Sequence, residues 1–110
     1  MKVNILGQEY EIIKQTKEEN PKLEDNYAIC ENYSKKIVMD SEIGNGEKMA
    51  VERLDLFENK VLRHEIIHAF FAESGLDGNC DYARNEELVD WIAYQVPKMW
   101  KVFQELGVEE

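Results

Sequence analysis

The sequence predicts an α+β domain, strand-rich over residues 1–48 and helical over 49–110, and two observations predict it. Up to residue 40 the apolar residues fall in short β-type runs separated by turn signals. From Met49 or Ala50 onward they recur at helical spacing. At 110 residues there is apolar content for one modest core, so a single minimal domain over 1–110 is expected, without repeats or low-complexity tracts.

Each element has its own signal. Val3 and Ile5, then Tyr10, Ile12 and Ile13, flank Gly7-Gln8, which reads as a tight hairpin. Residues 17–26 are charged and contain Pro21, so they form a loop with at most one helical turn. A second hairpin joins 27–31 to 36–40 with its turn near 32–35, giving a small antiparallel or mixed sheet of three to four strands. Residues 41–48, with Gly44-Asn45-Gly46, connect this part flexibly to the helices. Val51, Leu54, Phe57, Val61 and Leu62 extend a helix that stops at Ser74-Gly75, with Asn59 as an alternative cap for a later start. A second helix begins near 82–85 and carries an apolar stripe of Leu88, Val89, Ile92, Ala93 and Val96. Pro97 kinks or restarts it, and the last segment, 98–106, stops at Gly107. Trp91, Tyr94, Trp100 and Phe103 stand at helical spacings and are expected in the core. An exposed fraction of them would support a dimer, so the expected state is a monomer or weak homodimer.

The formal net charge of -10 repels phosphate backbones and anionic lipid, which excludes nucleic acid and membrane surfaces as partners. The N-terminal residues lack the apolar run of a signal peptide, and no stretch approaches a membrane span. Cys30 and Cys80 have no metal-type spacing and suit a reducing compartment, so a cytoplasmic location is expected.

The chemistry is concentrated in His64-Glu65-Ile66-Ile67-His68, which holds the chain's two histidines. On a helix, positions four apart differ by about 40° around the axis, so both imidazoles project toward one point. This is the HExxH pattern: two neutral histidines ligate Zn²⁺, and the glutamate acts as general base on the zinc-bound water. The flanks 59–63 and 69–73 contain neither Gly nor Pro, so the helix the motif needs is available.

A catalytic zinc usually takes three protein ligands, and with both histidines used the third is a carboxylate or a thiol. Glu86 and Glu87 open the next helix and point about 100° apart, so one of them faces the metal. Glu86 is favoured because Asp90 lies one turn further on its face, where it would accept a hydrogen bond from a ligating histidine. Cys80 and Asp81 are alternatives on a less firmly held loop, and Glu87 is expected to face solvent.

HEIIH followed by Asn85-Glu86 and Asp90 resembles the gluzincin arrangement, in which a glutamate helix with a NExxxD-like pattern follows the HExxH helix. The short length, the N-terminal strands and the run from Arg63 to Ala69 are similar to ImmA/IrrE-like metallopeptidases of phages and mobile elements and to minigluzincins; Pro97 ends the glutamate helix at a similar distance. The resemblance covers residues 50–106, and the strands by architecture. It implies a small zinc metallopeptidase with His64, His68 and Glu86 as ligands and Glu65 as base. It also implies an extended protein or peptide substrate along an exposed sheet edge, with a regulatory protein such as a phage repressor as one target. Two departures stand out. No N-terminal helix backs the sheet, a role the C-terminal segment would take. No third histidine stabilises the oxyanion, which leaves Tyr82, Tyr94, Tyr33 or Arg84 for that task, or zinc alone. The alternative is a non-catalytic or latent zinc-binding interaction module of phage or mobile-element origin.

Overall fold

A computed structural model describes residues 1–43 and 52–110. Four strands, β1 (Lys2–Ile5), β2 (Gln8–Gln15), β3 (Ala28–Glu31) and β4 (Lys36–Asp40), precede two helices, α1 (Leu54–Glu73) and α2 (Glu86–Leu106). The chain is thus an α+β domain with a mixed N-terminal sheet. The stretch 44–51, with Gly44-Asn45-Gly46 and the expected helix start at Met49 to Val51, lies outside the described residues.

Both hairpins form, the first with its turn at Leu6-Gly7, one residue earlier than the expected Gly7-Gln8, because Gln8 already pairs with Ile5 as the first residue of β2. Leu6 and Gly7 close the first with positive φ at both positions, and Asn4 Oδ1 accepts from the Gly7 N–H at 2.9 Å. Such paired positive φ values match the right-handed twist of the flanking strands. The second hairpin pairs β3 with β4 antiparallel, Ile29 opposite Val38. The two hairpins then join through a parallel pairing of β2 with β4, Ile12 opposite Ile37, which gives the order β1-β2-β4-β3 and leaves β3 on an edge. Between them, residues Pro21–Asp25 form a single 3-10 turn capped by Asn20, and its Leu23 is fully buried.

β4 is buried on both faces from Ile37 to Asp40, and α1 lies across the face that carries Ile37 and Met39. Ile5, Tyr10 and Ile37 pack with Ala69, and Ala28, Met39 and Ile43 pack with Val61. Val61, Glu65 and Ala69 recur every four residues on the inward face of α1. The far end of the helix is tied down as well: the buried Tyr10 donates its hydroxyl to Glu73 at 3.0 Å, and Lys35 pairs with the same carboxylate. The helix starts at Leu54, so Asn59 is interior rather than a cap. Gly75, at φ +83°, provides the stop.

Residues Asp81–Arg84 form a 3-10 turn, and Asn85 caps α2 by accepting from the Leu88 N–H at 2.8 Å. Val89 and Ala93 are fully buried, and α2 packs on α1 and on the turn before it, not behind the sheet. The expectation that the C-terminal segment would back the sheet is therefore corrected. α2 runs through Pro97 as one helix to Gly107, whose left-handed φ of 68° ends it. The aromatic core expectation is also corrected: Trp91 is 57 % exposed and Trp100 47 %, with Tyr94 and Phe103 exposed too. The reason is geometric. One side of α1 already covers the sheet, and small residues, Val89 and Ala93, make the α1–α2 contact. Among the described residues no helix is long and apolar enough to cross a membrane.

Candidate metal centre

His64 and His68 lie one turn apart on α1, and the first residue of α2 meets them. Glu86 Oε2 is 2.9 Å from His64 Nε2, Glu86 Oε1 is 2.9 Å from His68 Nε2, and the two ring nitrogens are 3.2 Å apart. One helix stop and one helix start make this possible. Gly75 turns the chain back after α1, and the Asn85 cap fixes the first turn of α2 so that Glu86 faces the histidines. Glu87 is exposed and takes no part.

The outer ring of this group is set by Asp90, one turn along α2. His64 Nδ1–H donates to Asp90 Oδ1 at 3.1 Å, and Lys60 Nζ lies 2.9 Å from the same oxygen. The Lys60 hydrogen bond, with His64 assisting, holds the Asp90 carboxyl below its ordinary range, so it is an acceptor. That fixes the tautomer. With its proton on Nδ1, a neutral His64 presents a bare lone pair at Nε2 toward the carboxylate oxygen of Glu86. Two acceptors at 2.9 Å need a cation between them, either a proton that charges the ring or a metal ion.

The spacing suits a small metal. Ligand atoms about 2.0–2.1 Å from a tetrahedral Zn²⁺ are roughly 3.3 Å from one another. The three contacts here are 2.9, 2.9 and 3.2 Å, and among the described residues His64, His68 and Glu86 form the one group of three potential ligands. Burial lowers the His68 pKa against the opposing pull of Glu86, a shift toward the neutral ring that a metal ligand needs. Neither Cys80 nor Asp81 belongs to the group; the carboxylate of Asp81 is taken up by Arg84.

Glu65 projects from the inward side of the same turn and is 8 % exposed. Burial pushes its carboxyl up to about 7, with His64 opposing and Glu86 adding to the shift. It lines two hollows that meet at the site. One, of about 360 Å³, lies beside the β3 edge and includes Cys30, Asn32, His68 and Asp77. The other, of about 200 Å³, includes Tyr27, Phe57, Lys60, His64 and Asp90. Burial pushes the Cys30 thiol up to about 12, so it is a neutral wall of the first hollow rather than a thiolate.

The structure does not bring the oxyanion candidates into these hollows. Tyr82 is half exposed within the 3-10 turn, Tyr94 lies under Lys98 on the outer side of α2, Tyr33 is at the tip of the second hairpin, and Arg84 binds the Asp77 carbonyl. Tyr27 lines the second hollow with His64 and Glu65, stacked edge-on to Phe57 at 5.0 Å. Sequence reasoning passed over Tyr27, Asn26 and Asp77 because nothing in their spacing links them to the histidines. Lys60 did carry a signal, standing one turn before His64 on the same helix. The chain matches no protein-family model, and no curated protein and no solved structure matches it.

Proposed function

We propose that the protein is a small zinc-dependent peptidase of the gluzincin type, with His64, His68 and Glu86 holding the metal and Glu65 acting as general base. The observation that carries this reading is the convergence of three side chains: His64 Nε2 lies 2.9 Å from one Glu86 oxygen, His68 Nε2 2.9 Å from the other, and the two ring nitrogens 3.2 Å apart. When bound, Zn²⁺ would polarise a scissile carbonyl and acidify water. The chain's own residues would do the rest. Asp90, kept ionised by Lys60, orients His64. Glu65, buried on the inward side of the turn that carries His64, takes a proton from water and delivers it to the leaving amine. The substrate main chain pairs with the free edge of β3, next to the hollow that Glu65 and His68 line. Two free thiols suit a reducing, cytoplasmic setting.

Zinc content per chain, measured on protein purified without chelator or metal-affinity tag, tests the site. One zinc is expected in the parent and in Glu87→Gln, and a weakened or lost zinc in Glu86→Gln. Peptide-library cleavage then tests the chemistry: Glu65→Gln should keep zinc and fold but cut nothing, and a fully active variant would refute the assigned base.

A second reading is a zinc-bearing interaction module without turnover. The absence of Tyr82 and Tyr94 from the hollows that Glu65 lines favours it. A zinc-loaded parent that stabilises strongly with metal yet never cleaves a peptide would select this reading.

A further inference from the structure

The hollow beside β3 and the hollow around Asp90 share Glu65, Glu86 and Asn26, so they form one cleft across the histidines. Lys60, paired with Asp90 and lying over the Phe57 ring, marks its far limit. Phe57 and Lys60 also line a third hollow, of about 490 Å³, between the outer sides of α1 and α2. Its floor is apolar, built from Leu56, Phe57, Tyr94 and Pro97.

The hollows at the two ends of this series of neighbouring hollows differ in charge. At the β3 end the lining carboxylates are Glu65, Asp77 and Glu86, with neither Lys nor Arg among the described residues lining it; with Glu86 given over to the metal and Glu65 to the base, Asp77 is the one left to meet a substrate side chain. At the α2 end they are Arg53, Lys60, Arg63 and Lys98, four of the chain's 13 basic residues, and no carboxylate lines it among the described residues. In a chain with 23 acidic residues this is the reverse of the average surface.

Several of these charges have no opposite partner among the described residues. Arg63 spends its Nε–H on the neutral Ala93 carbonyl, and Lys98 lies 4.2 Å over the Tyr94 ring; neither forms an ion pair among the described residues. The Asp77 carboxylate likewise has no ion pair there, Arg84 reaching only its main-chain oxygen. Lys60 and Arg53 are partly neutralised by Asp90 and Asp55. At physiological ionic strength charges separated by more than about 8 Å are largely screened, so each end acts on the residues nearest to it.

Resting on the peptidase reading above, we infer that the groove selects an extended polypeptide that is basic on one side of the scissile bond and acidic with apolar residues on the other. The β3 end takes the Lys or Arg side chains against Asp77. The α2 end takes Leu or Phe on its floor and Glu or Asp against Lys98 and Arg63. An ordered charge requirement of this kind picks one chain direction, and it excludes dipeptides and small amides, which cannot reach both ends.

Fluorescein-labelled peptides provide the test: one with Lys-Lys-Arg, an Ala-Gly-Ala link and Leu-Glu-Phe-Glu, one with the two blocks exchanged, and one with Glu in place of every Lys and Arg. Binding is read by anisotropy on zinc-supplemented Glu65→Gln protein, so the peptide stays whole, and cleavage is read on the parent. One order should bind at least about tenfold more tightly than the other two peptides. Lys98→Glu and Asp77→Asn should each weaken that order about fivefold while circular dichroism stays unchanged. Equal binding of all three peptides, or no binding, overturns the inference. Tight binding in one order with no cleavage by the parent retains the polarised groove and removes the peptidase. Cleavage without order preference does the opposite.

Discussion

Arg63 donates its Nε–H to the carbonyl oxygen of Ala93 at 2.7 Å, and Ala93 stands four residues before Pro97. Pro97 has no N–H, so the helical hydrogen bond that would reach Ala93 is missing from α2. The guanidinium of the motif helix replaces it. A helix that a proline would otherwise weaken thus runs unbroken to Leu106 and is fastened to α1 beside His64.

Removing the donor while keeping the stem tests this relationship. Arg63→Met should lower stability by about 2 kcal/mol, since a charged hydrogen bond to a buried carbonyl is lost. In a Pro97→Ala background the backbone supplies its own donor, and the loss should shrink by about 1 kcal/mol. Urea unfolding of the four proteins of this cycle measures the coupling, and equal losses in both backgrounds would count against it.

Asp90 is expected to tune metal affinity without being a ligand. Asp90→Asn should weaken zinc binding roughly 10–100-fold, because the amide can neither hold the His64 tautomer as firmly nor keep the ring basic. Lys60→Met should act in the same direction, more weakly, by releasing Asp90 from its cation. Competition with a chromophoric chelator reads both, and a wild-type affinity in Asp90→Asn would remove the orienting role.

Glu73 gives the acid limb of stability. The hydrogen bond from Lys35, aided by Tyr10, lowers its pKa in the folded protein. A depressed carboxyl contributes stability that is fully present above the unfolded value of about 4.3 and is lost as the pH falls through the folded value. Melting temperature followed from pH 7 downward should therefore fall less steeply in Glu73→Gln than in the parent. Parallel curves would show that the carboxylate is not coupled to folding.

Leu6 occupies a left-handed conformation at φ 50°, unfavourable for a branched side chain, and it is exposed. Leu6→Asn creates Asn-Gly, the preferred pair for a two-residue hairpin with positive φ at both positions. A gain of about 0.5–1 kcal/mol is expected in chemical denaturation. A loss would mean that Leu6 contributes packing its exposure does not suggest.

Local features of the fold were legible in the sequence, and long-range ones were not. Gly7, the turn before Lys36 and the stop at Gly75 act within a few residues, so both hairpins and the end of α1 follow from them. The parallel pairing of Ile12 with Ile37 depends on how the two hairpins meet, which no periodicity encodes. The aromatic stripe of α2 misled for a related reason: helical spacing identifies a face but not whether anything covers it. At the site, His64, His68, Glu86 and Asp90 were legible because helical geometry relates them in two pairs. Tyr27, Asp77 and the Ala93 carbonyl arrive from separate segments and become visible in three dimensions only.

β4 lies between β2 and β3, although it follows both in the chain. Each hairpin can zip up from its own turn, yet neither alone offers α1 a full apolar face. The platform appears when Lys36–Asp40 slots in alongside Gln8–Gln15, a closure across the intervening loop and strand that costs more chain entropy than either turn. The seat for the histidine helix is therefore a joint product of the two hairpins: the HEIIH segment has a complete surface to dock on only when the parallel pair has closed.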